Sequence, residues 1–344
     1  MKCFLVEQGY KPGSCLMQIK DDQKKACDVT LKREDGQWSR LIKSSHLSRP
    51  EHYYSIYQSG CNHTCLKCHS WDFTQKANGE WLLAEKVGLI AREYEKVITV
   101  WEPREKATMW HATDLCRSCG SCLISNAKGV LCPDILEPEK IVLSPQGFGP
   151  ARNIIAFTGG DLSCCVGFYC QASEEIKRNC RNMWVLIESN GYGLTPQNLD
   201  RLRDSGVDSF WLDIKAYDED VYKRLCGTTN EWILKAPAEI IKRGYVLEVL
   251  TLFIPGWVEN DQIEKTARLI AEVGDKIPMT ILAFFPEYKM KNAKAPTLEE
   301  MVRVFKSVKK IGLKKVKLGN CGVFAKSNKD WEYLIQEVGK EGIG

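Results

Sequence analysis

Three cysteines fall within eight residues at Cys61, Cys65 and Cys68, spaced x3 and x2. A loop of that length can wrap three thiolates around one iron–sulfur cube and leave the fourth iron corner without a nearby protein ligand. Zinc takes four ligands at a structural site, so a zinc reading needs His63 or His69 to complete the set. Spacing alone leaves both readings open. A second group, Cys116-x2-Cys119-x2-Cys122-x9-Cys132, ends at Pro133. Four thiolates suit a closed [4Fe–4S] cube or one tetrahedral zinc or iron ion. A closed cube would transfer electrons or hold structure, and zinc could only hold structure. Cys164, Cys165, Cys170 and Cys180 form a looser third group. Another metal, a thiyl or proton donor, and buried packing all remain open for them. Cys3, Cys15, Cys27, Cys226 and Cys321 read as packing, with Cys321 the exception because it follows a strand end.

Sixteen cysteines in 344 residues are too many for ordinary buried thiols. A disulfide framework is disfavoured in reducing cytoplasm and superfluous for a core this large. Clustered spacing favours metal, and oxygen-sensitive thiolate sites suit an anaerobic cytoplasm. The net charge of +4 is small and dispersed, which argues against nucleic acid. No apolar run approaches the ~18 residues of a membrane span, and Met1–Cys15 has no secretory pattern. A cytoplasmic monomer is expected.

The elements that must position these groups alternate. Short alternating stretches at Cys3–Gln8 and Cys15–Lys20 predict a small antiparallel element within 1–50. Tyr53–Gln58 reads as a strand entering the first cysteine loop, and Trp81–Val97 has helical periodicity. Residues 101–152 carry no long periodic element and read as a cysteine-rich inserted lobe fixed by metal. From 153 to 325, strands at Ile154–Phe157, Met183–Glu188, Ser209–Ile214, Val246–Phe253, Met279–Phe284 and Lys315–Leu318 are predicted. They alternate with helices at Glu174–Asn182, Pro196–Ser205, Glu219–Leu225, Glu231–Arg243, Asp261–Val273 and Leu298–Ile311. A C-terminal helix closes 326–344. Such alternation predicts an α/β fold with a parallel sheet and ligand groups at the strands' carboxyl ends. An open doubly wound sheet is the competing arrangement.

The run CNHTCLKC is the CxxxCxxC signature of the radical S-adenosylmethionine (SAM) superfamily, and the chain from Tyr53 to Cys321 resembles its pyruvate formate-lyase activating enzyme branch and archaeal relatives. The resemblance implies a partial (β/α)6 TIM-like barrel beginning in 51–100. It also implies a [4Fe–4S] cluster on Cys61, Cys65 and Cys68 that binds SAM through its free iron and generates a 5′-deoxyadenosyl radical. Thr158–Gly159–Gly160–Asp161 resembles the TGGE segment that holds the SAM amino group. Glu188–Ser189–Asn190–Gly191 resembles DTNG, and Leu212–Asp213–Ile214–Lys215 resembles LDLK. Cofactor contacts are thereby implied for Gly159, Gly160, Asp161, Glu188, Asn190, Asp213 and Lys215. Ile254–Pro255–Gly256–Trp257 and Phe284–Phe285–Pro286–Glu287–Tyr288–Lys289–Met290 resemble two further family turns.

Three positions depart from the pattern: Lys67 replaces an aromatic residue, Phe285 a histidine, and Leu250 an arginine, with Glu248 supplying a nearby charge. They imply a remodelled pocket for the reaction partner. The family's chemistry implies hydrogen abstraction from an unactivated C–H bond. Its activating enzymes imply a protein or peptide substrate and a reducing partner such as ferredoxin or flavodoxin. One alternative is cobalamin-dependent C-methylation of a protein side chain, as in archaeal enzymes acting on a glutamine of methyl-coenzyme M reductase. The other is a non-enzymatic iron–sulfur electron carrier.

Overall fold

The computed structural model describes residues 2–19 and 21–344; Met1 and Lys20, the last residue of the expected stretch Cys15–Lys20, lie outside the described residues. Phe4–Glu7 is a short helix, not extended chain, and it buries Leu5. Four residues are too few to separate a period of two from one of 3.6. Strands β1 (Leu16–Ile19) and β2 (Asp22–Lys25) form an antiparallel hairpin.

Strand β3 (Leu31–Glu34) pairs with β4 (Gln37–Leu47), and β4 pairs antiparallel with β5 (Tyr54–Gln58). The N-terminal stretch therefore builds one edge of the main sheet. Strand β6 (Glu80–Leu83) also pairs with β4, so the first turn expected of a helix at Trp81 is a strand. The helix proper runs Ala84–Glu95. Strands β7 (Val142–Ser144) and β8 (Gly147–Gly149) form a hairpin within the inserted segment.

The remaining strands are β9 (Ile154–Gly159), β10 (Trp184–Ser189), β11 (Ser209–Asp213), β12 (Val246–Phe253), β13 (Met279–Ala283) and β14 (Val316–Gly319). From β5 through β9 to β14 the neighbours pair in sequence order, every pair parallel. A doubly wound sheet reverses its order at a switch point; this one never does. The result is a mixed sheet of partial-barrel type in an α/β fold, with six crossovers joining seven parallel strands among the described residues.

Helix cover explains the composition of the strands. Val246–Phe253 reads VLEVLTLF with six of its eight residues buried, as expected of parallel strands enclosed on both faces. The helix Leu298–Ile311 opens with a Thr297–Glu300 capping box, which satisfies two end donors. The helix predicted to begin at Glu174 begins instead at Gly167. A Cβ at Gly167 would lie 2.2 Å from the Trp38 ring. This glycine permits close packing and does not mark a break.

Candidate active site

Strand β5 delivers the chain through Ser59 and Gly60 directly to Cys61. The loop is held from three sides. Asn62 donates its backbone N–H to Asp161 O at 2.9 Å, while Thr64 and Leu66 donate theirs to Cys226 O and Leu225 O at the end of the helix Glu219–Cys226. Fully buried Arg40 donates to Gly60 O at 3.3 Å and Gly160 O at 2.7 Å, clamping the two glycine turns together. A Cβ on Gly160 would lie 2.2 Å from Gly60 O, so two backbones meet where only glycine fits.

Cys61, Cys65 and Cys68 line one cavity of about 600 Å³ together with Thr158, Gly159, Asp161, Glu188, Asn190, Asp213 and Lys215. The segments at 158–161, 188–191 and 212–215 thus converge on the first cysteine group. Neither histidine completes a fourth ligand. His63 is buried between Asn62 Oδ1 at 2.7 Å and the Tyr222 hydroxyl at 2.8 Å, and burial pushes it down to about 3, leaving it neutral. His69 bonds Glu287 at 2.9 Å. A three-thiol donor set in an open cavity fits a cube with one free iron corner better than structural zinc. Among the described residues, no group of three or more Cys, His, Asp or Glu side chains is drawn tightly enough to hold an ion as it stands.

Asp161 braces the site. Its Oδ1 accepts from Ser163 N at 2.7 Å, and its Oδ2 accepts from the Ser189 hydroxyl at 2.7 Å and Asn190 N at 2.9 Å. Asn190 Nδ2 donates to Asn62 Oδ1 at 2.7 Å and reaches Cys61 Sγ at 3.8 Å. One carboxylate therefore fixes two strand-end turns, and its backbone carbonyl fixes the cysteine loop.

Lys215 donates to Asp213 Oδ2 at 2.5 Å. Burial alone would lower its ammonium, but Asp213, Cys65 and Cys226 outweigh that and hold it above the usual lysine value. It brings positive charge toward the thiol of Cys65. Cys226, expected to be packing, hydrogen-bonds Cys65. No spacing pattern links the two; the helix end that grips the loop brings them together.

Glu188 is enclosed. Tyr53 donates to its Oε1 at 3.0 Å and Thr158 donates to its Oε2. Burial outweighs these bonds and pushes the carboxyl up to about 8. A raised carboxyl favours its protonated form in the fold. Its contribution to stability is therefore complete below the usual carboxylate range and is lost as pH rises through about 8. The ligand-free protein should lose a few degrees of melting temperature between pH 7 and 9. Glu188→Gln should flatten that decline, and an unchanged slope would show that the carboxyl titrates elsewhere.

Two departures from the family pattern compensate each other. Lys67 Nζ lies 3.6 Å from the Phe285 ring centroid and 3.1 Å from Glu287 Oε2. The aromatic face and the carboxylate together accommodate a nearly buried ammonium. Glu248 does not supply a charge to the cavity. It is fully buried, accepts from Trp110 N at 2.7 Å and the Thr280 hydroxyl at 3.1 Å, and so anchors the inserted segment to β12. Leu250 lines the cavity wall.

The second cysteine group lies outside this cavity. Cys116, Cys119, Cys122 and Cys132 line a separate small hollow with Phe148, and Cys119 Sγ is 3.2 Å from Cys132 Sγ. A Cβ on Gly129 would lie 2.5 Å from Cys119 Sγ, so the chain wraps the sulfurs closely. The four cysteines around one hollow make a donor set suited to a closed metal centre. Cys170, Cys180 and Cys321 are buried. Cys164 and Cys165 do not line the cavity.

The sequence profile of the radical SAM superfamily matches residues 118–270, which begin inside the second cysteine group, after Cys116, and take in the strand-end segments up to the helix Asn260–Val273. That stretch of the chain is similar to the radical SAM superfamily. The Cys61 loop precedes the matched stretch. A Methanocaldococcus jannaschii protein provisionally named a glycyl-radical enzyme activating enzyme is 28% identical over 156 residues, 44% of this chain and 57% of its own length. An uncharacterized protein of the same organism is 29% identical over 142 residues, 40% of each chain. The matches span about half the length of these relatives. A domain of pyruvate-formate lyase-activating enzyme from Bacteroides vulgatus aligns at 17% identity and TM-score 0.41, covering 48% of this chain and 98% of that one. Streptococcus suis SuiB bound to precursor peptide SuiA aligns at 12% identity and TM-score 0.48, covering 76% and 45%. Among the described residues no helix is long and apolar enough to cross a membrane.

Proposed function

We propose that Cys61, Cys65 and Cys68 hold a [4Fe–4S] cluster that binds SAM, and that the enzyme abstracts hydrogen from a protein or peptide substrate. The observation that carries this reading is the convergence of three thiols and three strand-end segments on one 600 Å³ cavity. When bound, such a cluster supplies the electron that cleaves SAM. This chain's residues bind and orient. The Gly159–Gly160 turn lets the cofactor approach main chain, Asp213 and Lys215 offer a charge pair to its polar groups, and Glu188 offers a protonated carboxyl below about pH 8.

A second cavity of about 570 Å³ shares Glu51, Trp211 and Leu282 with the first. Met109, Trp110 and Thr113 of the inserted segment form one wall of it, and Phe285 and Lys317 contribute elsewhere. A mostly apolar chamber opening beside the SAM site supports entry of a substrate side chain or peptide segment there. The provisional name of the archaeal relative supports a polypeptide substrate.

The test is anaerobic reconstitution and turnover with reductant, followed by mass spectrometry of candidate polypeptides co-purified with the enzyme. A changed mass or a radical on a polypeptide supports the reading. SAM cleavage with only small molecules altered would overturn the substrate class, and a retained corrinoid with methylated product would redirect it to cobalamin-dependent methyl transfer. We further propose that Cys116, Cys119, Cys122 and Cys132 share one metal centre. Cys119→Ala should lose that metal while the Cys61 cluster keeps its SAM-dependent spectroscopic signal; unchanged metal content would refute the shared centre.

A further inference from the structure

Five cysteines from separate stretches of the chain meet on the outer flank of the SAM-cluster loop. Cys165 hydrogen-bonds both Cys164 and Cys27. Cys15 is an electrostatic neighbour of Cys164, Cys27 and Cys3, and so is Tyr192 of Cys3, Cys164 and Cys15. The backbone explains the meeting. Ala26 donates its N–H to Cys15 O at 2.7 Å, which sets Cys27 beside Cys15. The loop after the Thr158–Asp161 turn then carries Cys164 and Cys165 against them. None of the five is in a disulfide.

From this convergence we propose a third thiolate-held metal centre, distinct from the Cys61 and Cys116 groups, bounded by Cys3, Cys15, Cys27 and the Cys164–Cys165 pair. The donor set is all sulfur, the chemistry that selects iron–sulfur clusters and zinc over magnesium or calcium. Four of the five thiols suffice to close a cube or a tetrahedral ion.

Packing alone accounts poorly for the group. Cys27 and Cys165 are buried, yet Cys3, Cys15 and Cys164 are only partly so. Small apolar filler gains least where water already reaches it. The N-terminal arm also needs fixing. Among the described residues of the β1–β2 strands only Met17 is buried, and a cross-link through metal would tie the arm to the barrel where an apolar core is thin.

The N-terminal arm packs against the Cys61 loop. Ser14, adjacent to Cys15, accepts from Thr64 N at 3.1 Å and donates to Cys226 O at 3.0 Å. Thr64 precedes the cluster ligand Cys65. A Cβ on Gly13 would lie 2.4 Å from Asn62 O, so the arm presses directly on the loop.

The experiment compares iron, sulfide and zinc per chain in anaerobically purified wild type and in a Cys15→Ser, Cys27→Ser double variant, which leaves only three of the five thiols and so cannot close a four-thiolate site. The expected difference is a loss of about four iron with four sulfide, or of about one zinc, with the SAM-dependent signal of the Cys61 cluster retained. Iron and zinc outcomes both support the centre and identify its metal. Unchanged metal content in a folded variant would overturn it. Should the variant not fold, alkylation mapping of the wild type decides. Cys3, Cys15 and Cys164 should resist alkylation until the metal is stripped by chelator and oxidant. Free labelling of all three in the metallated protein, or a Cys27–Cys165 disulfide in protein purified anaerobically, would refute the proposal.

Discussion

Replacing Cys61, Cys65 or Cys68 with alanine should reduce 5′-deoxyadenosine release from SAM to background while leaving the fold largely intact. Each change would remove one of the three protein ligands of the proposed cube. The fold should survive because the loop's anchors are backbone bonds, to Asp161 O, Cys226 O and Leu225 O, and none depends on a thiol. Circular dichroism and melting temperature would report retained structure, and iron content would report the lost cluster. Cleavage persisting in all three variants would remove the proposed role of this cysteine group.

Asp213→Asn should raise the SAM concentration needed for half-maximal cleavage about tenfold, equivalent to about 1.4 kcal/mol, with the first cluster's iron unchanged. The Asp213 and Lys215 side chains are 37% and 22% exposed, so solvent moderates the pair and a larger loss is not expected from the ion pair alone. The change leaves Lys215 without its carboxylate beside Cys65 and Cys226, and would remove the charge proposed to meet the cofactor's polar groups. Lys215→Met should act in the same direction. An unaltered SAM dependence in both would show that the pair serves only the fold.

Much of this arrangement was legible in the residues. The parallel strands showed as apolar runs because both faces are covered, and three strand-end motifs indicated which turns would meet the cysteine loop. What was hidden depends on contacts between distant segments. Nothing in local periodicity marks Arg40 as the clamp on two glycine carbonyls, or Tyr53 as the donor to Glu188. The pairing of Lys67 with Phe285 and Glu287 joins residues more than two hundred positions apart. Cys3, Cys15 and Cys27 read as filler one by one, since their spacings match no ligand pattern; only the packing of the N-terminal arm against the 164–165 loop brings them together. Helix and strand boundaries failed for local reasons. Glu80–Leu83 is apolar enough to fit either period, and Gly167 resembles a breaker until Trp38 is seen against it.

The central claim is that the Cys61 group, and not the Cys116 group that the superfamily match reaches, holds the cluster that cleaves SAM. Two multiple variants of the reconstituted enzyme, one lacking Cys61, Cys65 and Cys68 and the other lacking Cys116, Cys119, Cys122 and Cys132, should be reduced anaerobically with SAM, and a single turnover of 5′-deoxyadenosine measured in each. The account predicts release from the second variant and none from the first. Release from the first, with none from the second, would contradict it.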